Sequence, residues 1–119
     1  MTTPQLIIAL LRKKRFSLHN EKALQREMED YLIKTLPAGE VRREHILDPG
    51  SIIDFLIAPG IGIEVKTKGA KRDILKQCTK YCTFEEVKAL ILVTNLAMGF
   101  PDQLNGKDCY VLKLGAAWL

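Results

Sequence analysis

Residues 88–95 read KALILVTN, and the apolar run Ala89, Leu90, Ile91, Leu92, Val93 leaves no polar side for a strand to turn to water. A strand of this kind must be covered on both faces, so it belongs at the centre of a sheet flanked by helices. The segments before it supply the neighbours. EVRREHIL, SIIDFLIA and IGIEVKTK read as successive strands, turned by DPG at 48–50 and by Pro59-Gly60. AKRDILKQCTKYCTF then has helical spacing in Ile74, Leu75, Cys78 and Tyr81 or Cys82. A helix between the third and fourth strands requires a right-handed crossover, which makes that pair parallel within an otherwise mixed sheet. DCYVLKL is the expected last strand, reached through a polar loop containing GFPDQLNGK.

Helices also precede the strands. Thr3-Pro4 reads as an N-cap followed by proline at the first helical position, opening a short helix over 3–15. Ser17 or Asn20 can cap a second helix, EKALQREMEDYLIKTL, in which Leu24, Met28, Tyr31, Leu32 and Thr35 share one face. The chain has 119 residues, enough for one core and too few for two. The expectation is an α/β sandwich in a single domain, 1–119, with the first helix as an extra element.

Three charges interrupt the apolar hairpin: Asp54, Glu64 and Lys66. Charged side chains are rare on buried strands unless they are paired or hold a metal. In IGIEVKTK, Ile61, Ile63 and Val65 face one way, while Gly62, Glu64, Lys66 and Lys68 face the other. A strict two-residue turn at Pro59-Gly60 would set Asp54 opposite Val65, on the wrong side. An odd-length loop or a bulge would bring Asp54 to Glu64 instead. Given that register, two carboxylates repel each other and invite a divalent cation. Oxygen ligands with room for water suit Mg²⁺ or Mn²⁺ better than zinc. Lys66 beside such an ion would orient water or counter charge growing on a phosphate. The alternative is a solvated hairpin face with a cross-strand salt bridge. EVK recurs at 86–88, but there no acid-bearing strand precedes it.

The net charge is +4, with basic runs at 12–15 (RKKR), at Arg42-Arg43 and through 66–80. The last run adjoins the three charges, a placement that suits phosphate contact. The cysteines Cys78, Cys82 and Cys109 are read as core residues, since neither histidine lies near them in sequence to complete a zinc site. His19 and His45 are expected at the surface, and Trp118 against the core or a partner subunit. LIIALL is too short to span a membrane and its basic residues follow it, so a cytoplasmic protein with reduced thiols is the expectation.

Asp54 followed by Glu64-Val65-Lys66, in a helix-β-β-β-helix-β order, resembles the PD-(D/E)XK nuclease superfamily. The resemblance spans roughly residues 20–114. EKALQ (Glu21, Gln25) and Gln77 look like its stand-alone VRR-NUC type. The resemblance implies a restriction-endonuclease-like mixed sheet flanked by helices, with an α-β-β-β-α-β core. It implies that Asp54 and Glu64 ligate the metal, with the Val65 carbonyl as a further ligand. Lys66 would be catalytic, Glu21 would assist metal binding, with Glu27 as the fallback, and Gln77 would support. Ile53 stands where the proline of the family name would be. QCTKY also fits the Gln-x-x-x-Tyr pattern of RecB-like members, so Gln77 and Tyr81 would either position a strand or, for Tyr81, pack in the core. Lys68, Lys71, Arg72, Lys76, Lys80 and Tyr81 are the expected nucleic-acid contacts. The implied activity is Mg²⁺- or Mn²⁺-dependent hydrolysis of DNA phosphodiesters, structure-selective for branched or flap DNA, by a homodimer of the kind phages carry. The rivals are a RecB-like end-dependent exonuclease and a catalytically silent DNA-binding module.

Overall fold

The computed structural model describes residues 1–115; Trp118 lies outside them. The elements follow in the order α1 (Pro4–Arg12), α2 (Glu21–Thr35), β1 (Val41–Asp48), β2 (Ser51–Ile57), β3 (Ile61–Lys66), α3 (Lys71–Tyr81), β4 (Ala89–Thr94), β5 (Gln103–Leu104) and β6 (Lys107–Lys113). The strands form one mixed sheet in the order β1-β2-β3-β4-β6-β5. β1, β2 and β3 pair antiparallel, β3, β4 and β6 pair parallel, and β5 returns antiparallel on β6. The expected α/β class and the parallel crossover through α3 are both present.

β4 is buried along its whole length, as its composition requires. One face of the sheet carries α1 and α2, whose Ile7, Leu11, Leu24, Met28 and Leu32 meet Phe55, Ile57, Ile63, Val65, Ile91 and Val93. The other carries α3, whose Ile74, Cys78 and Tyr81 meet Ile53, Leu56, Leu90, Leu92 and Cys109. Each aliphatic side chain fully withdrawn in these layers contributes roughly 1.5–3 kcal/mol of transfer free energy. The sheet is thus held between two apolar layers, and any charge inside either one stands out.

Local chemistry sets the helix limits. The Thr3 hydroxyl accepts the Leu6 N–H at 3.1 Å, and Asn20, rather than Ser17, caps α2 by accepting the Ala23 N–H at 3.0 Å. α1 stops at Arg12 instead of continuing to residue 15. Phe16 then turns inward and meets Tyr31 edge-on, with ring centroids 6.1 Å apart. Thr35, expected on the buried face of α2, is exposed, and Leu36 is buried in its place. Gln25 is buried instead: its Oε1 accepts from Arg43, which also pairs with Glu29 at 2.9 Å. β5 lies inside what reads as a polar loop, joined to β6 through Asn105-Gly106, both at positive φ. Among the described residues no helix is long and apolar enough to cross a membrane.

Candidate active site

The position of Asp54 is decided by the loop between β2 and β3. Ile57 pairs with Ile61, so the loop holds three residues, 58–60, the odd length that the sequence called for. Gly60 makes it possible: its φ is +153, and a Cβ there would lie 2.7 Å from the Glu86 carbonyl oxygen. The pairs Leu56↔Gly62 and Phe55↔Ile63 follow, and one further step sets Asp54 opposite Glu64.

At that step the ladder ends and the strands fork. β2 continues against β1 alone, through Ile53↔His45 and Ile52↔Ile46, while β3 continues against β4. The backbone N–H groups freed by the fork are taken by the two acids. Val65 N donates to Asp54 Oδ2 at 2.7 Å, and Asp54 N donates to Glu64 Oε1 at 3.2 Å. Side chains therefore replace ladder partners that buried amides cannot do without. The strand pair also changes face here. Phe55 and Ile57 pack toward α2, whereas Ile53 packs with Leu56 toward α3. On β1, Glu44 falls between Arg43 and His45 opposite Asp54, and its φ is +51, a conformation a glutamate seldom adopts. Of the two alternatives, the odd loop alone supplies the register; the shift in the β1–β2 ladder lies further on, between Ile46 and Asp48.

Lys66 and Tyr81 complete the cluster. Lys66 Nζ lies 3.4 Å from Glu64 Oε2. The Tyr81 hydroxyl donates to the Ile52 carbonyl at 2.9 Å and lies 3.3 Å from the same Glu64 oxygen. Glu64 is 2% exposed. Burial, and then the neighbouring Asp54 charge, push its carboxyl up to about 8, with Lys66 pulling the other way. Burial also raises Asp54, against the pull of the Val65 N–H and Lys66. Both shifts favour a proton shared by the pair, because two buried carboxylates this close ionise together only at a high cost.

Glu21 opens α2 and reaches across to the end of β3. Its Oε1 accepts from Thr67 N at 2.9 Å and Thr67 Oγ1 at 3.1 Å, and its charge adds to the upward push on Asp54. It anchors the residue after Lys66. Glu27 is engaged elsewhere, accepting the Ser17 N–H at 3.1 Å.

The donor set fits a hydrated hard cation. Asp54 and Glu64 offer carboxylate oxygens, and a small divalent ion held by one or two carboxylates keeps water for the rest of its shell. A closed protein cage does not fit, because among the described residues no group of three His, Cys, Asp or Glu side chains stands close enough to hold a metal. Structural zinc is excluded for the same reason.

The remaining expected residues divide. Lys68, Lys71, Arg72, Lys76 and Lys80 are all exposed, along α3 and the segment leading into it. Gln77 lines a shallow surface cavity of about 420 Å³ with Asp73, Lys76 and Lys80, and no hydrogen bond joins it to the acids among the described residues. Tyr81 is 1% exposed, so it stacks no base; its ring belongs to the core and its hydroxyl to Glu64. That role is what its place in the apolar series with Ile74 and Cys78 implies. His19 is exposed, and His45 pairs with Glu86 of the second EVK at 2.8 Å. The cysteines are buried free thiols. No periodicity or spacing points to the Gln25–Arg43–Glu29 cluster, which braces β1 against α2 beside the site.

The fold and site define an α/β protein with two carboxylates and a lysine gathered at a fork in a mixed sheet. Comparison with models of known protein families, with curated proteins and with solved structures finds no match.

Proposed function

We propose that this chain is a metal-dependent nuclease that hydrolyses DNA phosphodiesters with Mg²⁺ or Mn²⁺. One observation carries the reading: Asp54, Glu64 and Lys66 converge at the fork, with the lysine 3.4 Å from Glu64, inside otherwise apolar strands. Asp54 and Glu64 would hold the ion, with the Val65 carbonyl as a further donor, while Glu21, bound to Thr67, would act on the site through the backbone and not as a third carboxylate ligand. A bound divalent cation would supply Lewis-acid polarisation of the phosphate and a water of lowered pKa. Lys66 brings positive charge to the phosphate oxygens as charge builds on them, in a site largely withdrawn from water. Tyr81 keeps Glu64 from turning away. Thr67, held by Glu21, fixes the backbone on which Lys66 stands. The exposed basic residues from Lys68 to Lys80 supply backbone contacts without reading sequence.

The α-β-β-β-α-β order supports the restriction-endonuclease-like reading of the fold. Structure-selective cutting of branched or flap DNA is the favoured activity, since the exposed basic residues along α3 suit the phosphate backbone rather than base edges, and symmetric cutting would employ a homodimer. The end-dependent exonuclease reading asks both Gln77 and Tyr81 to contact a strand; the burial of Tyr81 removes its part of that support, while Gln77 stays at the surface. The test is a panel of single-stranded, duplex, flap, nicked and four-way DNA with each metal. Cleavage of the branched members, abolished in Asp54→Asn, is expected. Binding without cleavage of any member would leave a silent DNA-binding module instead.

A further inference from the structure

We infer that Lys113, at the end of β6, grips a phosphate of the DNA strand at a distance from the bond being cut; this rests on the nuclease reading. β3, β4 and β6 run parallel and in register, so Lys66, Thr94 and Lys113 form one row across three strands. The row below it is Glu64, Leu92 and Val111. Tyr110 and Leu112 pack toward α1 and α2, whereas Cys109 and Val111 pack toward α3. By alternation Lys113 stands on the α3 face, the face that Glu64 and Lys66 occupy.

The middle of the row is neutral. Thr94 is fully buried, and its hydroxyl accepts the Leu96 N–H at 3.0 Å. Lys113 is exposed and makes no ion pair among the described residues. Two strand spacings separate it from Lys66, about 10 Å between backbones. Each DNA strand presents a phosphate about every 3.4 Å of rise, so the two lysines meet different phosphates of one strand. Both stand at the carboxyl ends of parallel strands, where open α/β sheets receive their ligands. A compact ammonium on a flexible stem suits an anchor that tolerates any base sequence.

The experiment measures binding of a short fluorescein-labelled flap duplex over a salt series in EDTA, and its cleavage with Mn²⁺, for the wild type, Lys113→Gln, Lys113→Arg and the distant control Lys34→Gln. Loss of one phosphate contact should lower the log–log salt slope of Lys113→Gln by about 0.7–0.9. Its KM should rise roughly three- to tenfold with kcat within about twofold. Lys113→Arg should restore both and Lys34→Gln should change neither. An unchanged slope and KM in Lys113→Gln, with an active wild type, would overturn the role of Lys113 alone. A wild type that binds but does not cut would overturn the nuclease reading, while the slope still decides the phosphate contact. A wild type that does not bind would overturn both.

Discussion

Replacing Glu64 with glutamine should flatten the pH dependence of stability between about pH 5 and pH 8. The carboxyl titrates at about 8 in the folded chain against an ordinary 4.5. An acid whose folded pKa is raised keeps its proton in the native state when the unfolded chain has already lost it. Stability is therefore fully present below 4.5 and is lost as pH rises to about 8. At about 1.4 kcal/mol per pH unit, that interval sets a ceiling of about 5 kcal/mol. At about 4 °C per kcal/mol for a chain of this size, the wild-type melting temperature should fall by on the order of 10 °C between pH 5 and 9 without divalent ions. Glutamine keeps the shape and carries no such proton, so Glu64→Gln should lose at least half of that slope. Mn²⁺ should reverse the trend in the wild type, because the ion replaces the proton and binds better as pH rises. At about a hundredfold above its dissociation constant it adds roughly 2.7 kcal/mol. Melts by circular dichroism across pH, with and without Mn²⁺, make the measurement. A wild type whose stability is flat or rises over this range, or a variant with the same slope, would refute the shared-proton account of the fork.

Further outcomes follow from the same geometry. Tyr81→Phe removes a hydroxyl that bonds the Ile52 carbonyl, and should cost about 1 kcal/mol in urea unfolding while lowering activity by loosening Glu64. Gly60→Ala forces a Cβ against the Glu86 carbonyl; a loss of about 1–3 kcal/mol is expected, together with activity, since the loop sets the register of Asp54. Arg43→Leu strands the buried Gln25 amide and the Glu29 carboxylate, and a drop of about 2 kcal/mol in thermal or urea melts is expected.

The sheet is legible in the sequence because its strands carry their surroundings in their composition. An all-apolar β4 has to be central, and the helix before it has to cross over. The site was legible only up to a condition. Periodicity put Glu64 and Lys66 on one side, but the face of Asp54 depended on loop length, which Pro59-Gly60 leaves open. β5 is not legible in the sequence because two residues carry no periodicity, although Asn105-Gly106 is a hairpin signal in its own right. Tyr81 was ambiguous because one helical position can serve a core or a surface, and only packing chooses. The Arg43 cluster was hidden for another reason: an arginine in a basic run looks solvated until a glutamine and a glutamate on a different element meet it.

The fork gives the carboxylates two duties, and the first limits the second. Asp54 Oδ2 and Glu64 Oε1 are committed to the amides of Val65 and Asp54, which the splayed strands leave without ladder partners. If those bonds persist, each acid has one oxygen left for a cation. For Glu64 that is Oε2, already within reach of Lys66 and Tyr81. Two protein oxygens in an octahedral shell leave about four positions for water, backbone carbonyl and phosphate, a composition that Mg²⁺ accepts readily. Ca²⁺, which takes more ligands at longer distances, gains less from so sparse a donor set. Ca²⁺ should therefore raise the melting temperature at pH 8.5 by less than half as much as Mn²⁺ at equal concentration. Equal shifts from the two ions would mean that the acids swing free of the backbone on binding, and that the fork is not the rigid cradle described.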